Sequence, residues 1–263
     1  MSRKEKMFMV RCRDVLNFME KIAPSDLAEE WDNIGLIAGS INGKVERMLV
    51  CLDVTDAALR KASSIKADLI VTHHPMIFKG LKSVSEDNVK GRQIYSTIRS
   101  GINIISAHTN LDYAEAGVNT QLASVLGLYD TALIGKGPGR VGSLKERMSF
   151  DAFVAHVKKC LKVPCVRAAG KADAGVMKAA VFSGSFDDDL DAVLLTGAEV
   201  LVTGDLKYHT ALDARESNMC IIDAGHFNTE RIVLPYLAAA LSERFPETEV
   251  IHFKQEKDPF ITY

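Results

Sequence analysis

Four of the seven histidines stand where an apolar run ends. His73 and His74 directly follow Leu69-Ile70-Val71-Thr72, and Pro75 pushes His74 toward an extended backbone. His108 follows the run that ends at Ser106, with Asp112 four residues on; His226 follows the run that ends at Ile222, with Glu230 four residues on. That spacing can bring imidazole and carboxylate onto one face of a helix start. Neighbouring strand residues point opposite ways, so His73 and His74 serve one metal poorly, but at a strand end each can take one of two metals. A carboxylate can bridge two cations about 3.5–4 Å apart, as in two-metal hydrolases that activate water. Mixed imidazole and carboxylate donors suit Zn, Mn, Fe, Co or Ni better than Ca or Mg. His209, after Gly204-Asp205, is expected to face a substrate; with His108 it is a candidate proton carrier. His156 and His252 are read as structural.

Competing signatures fit worse. The chain has no His-x-His-x-Asp-His, no Gly-Asn-His, no His-Glu-x-x-His and no Gly-x-x-x-x-Gly-Lys-Ser/Thr. Its five cysteines are odd in number and lack Cys-x-x-Cys spacing, so neither a disulfide framework nor a zinc knuckle is expected.

The elements that must position these donors alternate between short apolar runs and helical patterns, which is the signature of an α/β fold. Strands are expected at Met48 to Leu52, Leu69 to Thr72, Ile102 to Ser106, Ala179 to Phe182, Val200 to Thr203 and Met219 to Ile222, with an edge strand over Glu249 to Phe253. Helices are expected from a Thr55 cap to about Lys66, from Asn88 to Arg99, from Val118 to Leu126, after a Ser149 cap, over Asp187 to Thr196, from Lys207 to Ser217, and over Glu230 to Glu243. Leu133 to Leu144 carries Gly135, Gly137, Pro138, Gly139 and Gly142, and reads as a linker or crossover.

The chain also repeats itself. Ala67-Asp68-Leu69-Ile70-Val71-Thr72 resembles Ala198-Glu199-Val200-Leu201-Val202-Thr203 at an offset of 131, which also places Asp56 on Asp187. Ile104 to Asp112 matches Ile221 to Glu230 with one insertion, and both end in His-x-Asn-x-carboxylate. The expected architecture is two related α/β halves packed together with a metal cleft between them: residues 1–130, a crossover and helix over 131–178, and residues 179–263. In open α/β sheets, ligands bind beyond the carboxyl ends of the strands.

Composition bounds the function. Lys plus Arg is 32 and Asp plus Glu is 34, a net charge of −2, which argues against general nucleic-acid binding. No apolar run approaches the roughly 20 residues that span a bilayer. The basic start, Met1 to Lys6, precedes an apolar stretch too short for a signal peptide, so a cytoplasmic protein is expected.

Trp31-Asp32-Asn33-Ile34-Gly35-Leu36, Thr72-His73-His74-Pro75, His108-Thr109-Asn110-Leu111-Asp112 and Gly225-His226-Phe227-Asn228-Thr229-Glu230 together resemble the GTP cyclohydrolase I type 2-like dinuclear-metal family, also called the Ngg-interacting-factor-three-like family. The likeness runs over about residues 10 to 255, in the short form without an inserted domain. It implies two divalent ions per chain held by His73, His74, Asp112, His226 and Glu230, with Glu230 bridging. His108 is then a weaker ligand or a proton shuttle. It also implies a toroidal homohexamer and hydrolytic attack at C8 of a guanine nucleotide or on a related small molecule. The alternative is a hexameric metal-binding, metal-delivery or regulatory protein without turnover. Trp31, Asp32 and Asn33 match the first motif and read either as a substrate pocket wall, with Trp31 stacking on a base, or as a turn in which Asp32 caps a helix.

Overall fold

The computed structural model of the chain describes residues 9–186 and 190–261. The basic N-terminal run and the expected helix start at Asp187 lie outside the described residues. In chain order the first elements are α1 (Cys12–Ile22), β1 (Gly35–Ala38), β2 (Arg47–Cys51), α2 (Asp56–Ser64), β3 (Leu69–Thr72), α3 (Val89–Arg99), β4 (Asn103–Ser106) and α4 (Thr109–Tyr113). There follow α5 (Val118–Val125), β5 (Tyr129–Leu133), β6 (Arg140–Ser149), α6 (Phe150–Leu161), β7 (Arg167–Ala169), β8 (Gly175–Val181), α7 (Leu190–Leu195), β9 (Val200–Thr203), α8 (Tyr208–Glu216), β10 (Cys220–Asp223) and α9 (His226–Glu230). The chain closes with α10 (Leu234–Arg244) and β11 (Glu249–His252). No described helix is long and apolar enough to cross a membrane.

The fold is mixed α/β with two sheets, one in each of two compact units. The first unit comprises the chain through Leu111 and returns for Leu234–Glu256. Its sheet has the order β1-β4-β3-β2-β11. Strands β4, β3, β2 and β11 run parallel, and β1 is antiparallel at one edge. The sequence accounts for the centre of this sheet. Leu69–Thr72 is apolar or β-branched throughout and fully buried, as a parallel strand covered on both faces requires. Leu49, Ile70 and Ile104 alternate onto one face, where α2 and α3 cover them with Ala58, Leu59, Ala62 and Ile94. Thr55 caps α2 by accepting from Ala58 N at 3.1 Å.

The second unit comprises Asp112–Val233 and the residues after Glu256. Its sheet runs β5-β6-β8-β9-β10-β7, with β8, β9 and β10 parallel. Period-two alternation divides its core. Ala179, Val181, Val200, Val202 and Ile222 face α5 and α6, where Phe150, Phe153, Val157 and Leu161 keep the expected helical spacing. Ala180, Phe182, Leu201 and Ile221 face Val193 of α7 and Ala214 of α8.

The repeat is visible in the topology: β2-β3-β4 and β8-β9-β10 are parallel triplets in the same spatial order. Three expectations need correction. The linker or crossover expected in residues 131–178 is instead sheet, since β5 and β6 form an antiparallel hairpin that continues through β8, whereas the helix expected there is α6. The division of the chain also falls after Leu111, not after residue 130, and residues 234–256 rejoin the first unit instead of completing the second. The helix expected over Glu230 to Glu243 is broken into α9, a 3-10 turn over Arg231–Val233, and α10. Pro235 stands in the first turn of α10, where its missing N–H costs nothing, but its ring opposes a continuous helix through Arg231.

Candidate metal centre

In the first unit, Cys51, Thr72 and Ser106 are aligned across β2, β3 and β4, so the residues after each strand emerge at one edge of the sheet. His73 and His74 follow β3, and His108 follows β4. Because the ladder ends at Thr72, the two adjacent histidines leave the alternation of a strand. Their rings lie 4.9 Å apart, and the His108 ring is 5.2 Å and 5.5 Å from them. Each of the three offers a ring nitrogen within 4.8 Å of the others.

Every ring is held at Nδ1 by an oxygen that can only accept. His73 Nδ1 is 2.9 Å from the Ala107 carbonyl, His74 Nδ1 is 3.0 Å from Asp53 Oδ1, and His108 Nδ1 is 2.8 Å from Asp32 Oδ1. Nδ1 therefore carries the proton and donates, so that the neutral form of each ring would present Nε2, the atom through which an imidazole oriented this way binds metals.

Asp32 is central to this arrangement. Its buried carboxylate also accepts from Thr109 N at 3.0 Å and Thr109 Oγ1 at 2.5 Å, so it caps α4 while aiming His108. Burial pushes its carboxyl up, but the hydrogen bonds from His108 and Thr109 and the His108 charge outweigh it and hold the group well below the usual carboxylate range. Asn33 donates from Nδ2 to the Ile77 carbonyl at 2.6 Å. Of the three residues expected to line a substrate pocket, Asp32 and Asn33 thus serve as internal braces. Trp31 is 58% exposed, and Phe78 beside it is 46% exposed. Their rings are 5.5 Å apart and lie 6.1 Å and 5.7 Å from His108, forming an open aromatic shelf at the imidazole cluster.

The Asp32 bonds carry a signed prediction. A folded-state pKa below the unfolded value adds stability that is fully present above about pH 4 and is lost as pH falls through the folded value. Asp32→Asn is expected to lower stability in chelator at pH 7 by about 2 kcal/mol, the scale of charge-assisted hydrogen bonds. The gap between wild type and variant should narrow below about pH 4 in urea denaturation series. A gap that is constant with pH would contradict the bonding described.

In the second unit, Thr203 and Asp223 end β9 and β10 side by side. His226 opens α9, and its Nε2 is 3.0 Å from Glu230 Oε2, the four-residue spacing acting as expected. Its Nδ1 is 2.8 Å from Asp205 Oδ2. Asp223 braces this pair from behind: it accepts from Gly225 N at 3.0 Å, Leu206 N at 3.2 Å and Arg167 Nε at 3.1 Å, tying the two strand ends together. With the Nδ1 proton given to Asp205, His226 Nε2 faces a carboxylate oxygen, an arrangement satisfied by imidazolium or by a shared cation. Two glycines leave room for it. A Cβ at Gly184 would fall 2.2 Å from Glu230 Oε1, and one at Gly204 would fall 2.5 Å from His226 N. The donor chemistry of both sets fits a divalent transition metal or zinc.

Asp112 is half-buried in α4, its backbone carbonyl accepting from Asn119 Nδ2 at 3.3 Å. His209 is exposed in the first turn of α8, with its ring 5.3 Å from that of Tyr208. Asp53 and Asp205 were missed by sequence reasoning. Each stands two residues beyond a strand, which is the one signal that could have found them.

Fold and donors define a class: an α/β protein with imidazoles and carboxylates at the carboxyl ends of parallel strands. The Duf34/NIF3 (NGG1p interacting factor 3) family model matches residues 10–259. A Clostridium perfringens protein named "GTP cyclohydrolase 1 type 2 homolog" is 35% identical, covering 95% of this chain and 99% of its own length. Among solved structures, a Staphylococcus aureus hypothetical protein superposes with a TM-score of 0.92 at 27% identity, over 97% of this chain and 100% of that one. A Bacillus cereus protein related to NIF3 superposes with a TM-score of 0.93 at 25% identity, with the same coverage. The chain belongs to the Duf34/NIF3 family.

Proposed function

We propose that this chain is a metal-dependent hydrolase that holds two divalent cations through His73, His74, Asp112, His226 and Glu230 and acts on a nucleotide or related small molecule. The observation that carries the reading is the clustering and bracing of the histidines: His73, His74 and His108 each offer a ring nitrogen within 4.8 Å of the others, and their Nδ1 atoms, like that of His226, each meet an oxygen acceptor. Divalent cations bound by such donors lower the pKa of water toward neutrality. The protein's own contribution is orientation. Asp32, Asp53 and Asp205 fix the rings of His108, His74 and His226, and Glu230 is held next to His226 on one turn of α9. His108, held at Nδ1 by Asp32, is the candidate to accept a proton if it is not itself a ligand. The shelf of Trp31 and Phe78 offers a face to a planar ring, which supports a nucleobase-bearing substrate. The printed name of the Clostridium perfringens relative makes GTP the first nucleotide to try.

The test is metal content per chain by mass spectrometry, with nucleotide turnover measured on the same sample. Two ions per wild-type chain are expected, and Glu230→Ala should lose both because a bridging carboxylate serves the two together. Two ions retained by Glu230→Ala would refute the bridge. A metal-replete chain that hydrolyses neither nucleotides nor related small molecules in a broad substrate screen would refute the hydrolase reading.

A further inference from the structure

The last described stretch of the first unit does more than close its sheet. Beyond β11 the chain stays beside β2, with Phe253 N donating to the Val50 carbonyl at 2.8 Å. Three residues on, the Glu256 carboxylate reaches the end of β2 and accepts from Leu52 N at 2.9 Å and 3.0 Å and from Asp53 N at 3.1 Å. The far side of the same peptide group is also engaged: the Leu52 carbonyl accepts from His74 N at 2.9 Å and from Thr72 Oγ1 at 2.7 Å. The backbone that carries Asp53 is thus clamped from both sides, and the Asp53 side chain receives the His74 Nδ1 proton. Burial pushes the Glu256 carboxyl up to about 7, against the lowering effect of its backbone hydrogen bonds, so its placement is costly and calls for a return. His73 provides an internal contrast, because its ring is set by the Ala107 carbonyl, without Glu256.

We propose that Glu256 is a positioning residue for His74: by clamping the Leu52–Asp53 backbone it presents the Asp53 carboxylate that orients the imidazole for metal binding. The metal part rests on the reading given above; the orientation of His74 does not. Supporting a ligand from outside the coordination sphere is typically worth 10–100-fold in metal affinity. Residues acting along one chain of contacts are non-additive, whereas independent ones add.

The experiment is a cobalt(II) competition titration on the full-length chain, alongside crystal structures of wild type and Glu256→Gln. Glu256→Gln is expected to weaken cobalt binding about tenfold. Asp53→Asn should do about the same, and the double variant should be no weaker than the worse single one. Glu256→Gln combined with Asp205→Asn, which acts on His226, should multiply the two losses. Glu256→Asp keeps the charge with a shorter reach and should fall between wild type and Glu256→Gln. Wild-type affinity in both Glu256 variants would overturn the proposal even if their melting temperatures fall, since a purely structural strap predicts that outcome. Multiplying losses for Glu256→Gln and Asp53→Asn would overturn it too. If the wild-type chain takes up no cobalt, the metal reading fails separately. The crystal structure then decides: a His74 ring displaced from Asp53 in Glu256→Gln supports the proposal, and an unmoved ring overturns it.

Discussion

Gly184→Ala is expected to lower divalent-metal affinity by roughly 100-fold while the protein still folds. Gly184 follows β8 with φ +70, and its N–H donates to Thr229 Oγ1 at 3.0 Å, so the loop is pinned against α9. A methyl group here would sit 2.2 Å from Glu230 Oε1, closer than non-bonded atoms approach, and 3.2 Å from its Cδ. What it meets first is the tip of a side chain, which can swing away. The left-handed backbone costs alanine about 1–2 kcal/mol, a loss that an ordinary domain survives. The displaced carboxylate, however, no longer stands beside His226, and both donors of the pair are compromised. Isothermal titration with zinc, next to a urea melt in chelator, separates the two effects. Wild-type affinity in Gly184→Ala would mean that Glu230 is not a ligand in the position described.

Gly204→Ala should show the reverse balance. Its added Cβ would lie 2.4 Å from the Gly184 carbonyl oxygen, 2.5 Å from His226 N and 2.7 Å from Gly225 C. All three are main-chain atoms of segments packed at the ends of β8, β9 and β10, and none can rotate away. Relief requires the strand ends to separate, which strains the Asp223 bonds to Leu206 N and Gly225 N. A stability loss of about 3 kcal/mol or more is expected, at the upper end for overpacking. The measurement is the urea midpoint in chelator. A loss below about 1 kcal/mol would show that these strand ends are looser than described. Together the two variants separate a glycine that makes room for a ligand from one that makes room for the chain.

Much of this architecture is legible in the residues. The strand Leu69–Thr72 has the expected bounds because a continuous β-branched run ending in His-His-Pro leaves no other reading. The caps at Thr55, Asn88 and Ser149 lie where Ser, Thr and Asn precede apolar periodicity. The hairpin of β5 and β6 was hidden for a physical reason. All five residues of β5 are exposed, so burial prints no alternation on them, and the glycines around Pro138 look the same in a tight turn as in a linker. At the candidate site, the histidines and their four-residue carboxylates are visible as local spacing. The braces are not: Asp53 lies 21 residues from His74, and Asp32 lies 76 from His108, distances at which only the fold can pair them. Asp32 reads in the sequence as either a pocket wall or a cap, and the structure shows it accepting from Thr109 N at 3.0 Å as a cap does.

The return of β11 to the first sheet has a consequence for biosynthesis. Its ladder with β2 joins Arg47 to Glu249, partners 202 residues apart, although β2, β3 and β4 are complete once Ser106 has been made. The entropy of closing so long a loop grows only with the logarithm of its length, so the equilibrium state tolerates it. The nascent chain experiences it as a delay. From the moment β2 leaves the ribosome until β11 has followed it, its outer edge offers unpaired amides and carbonyls to any passing strand. The segment that seals the first sheet is joined to β2 through a residue made 202 positions later, and a polypeptide stalled before Glu249 carries that edge open.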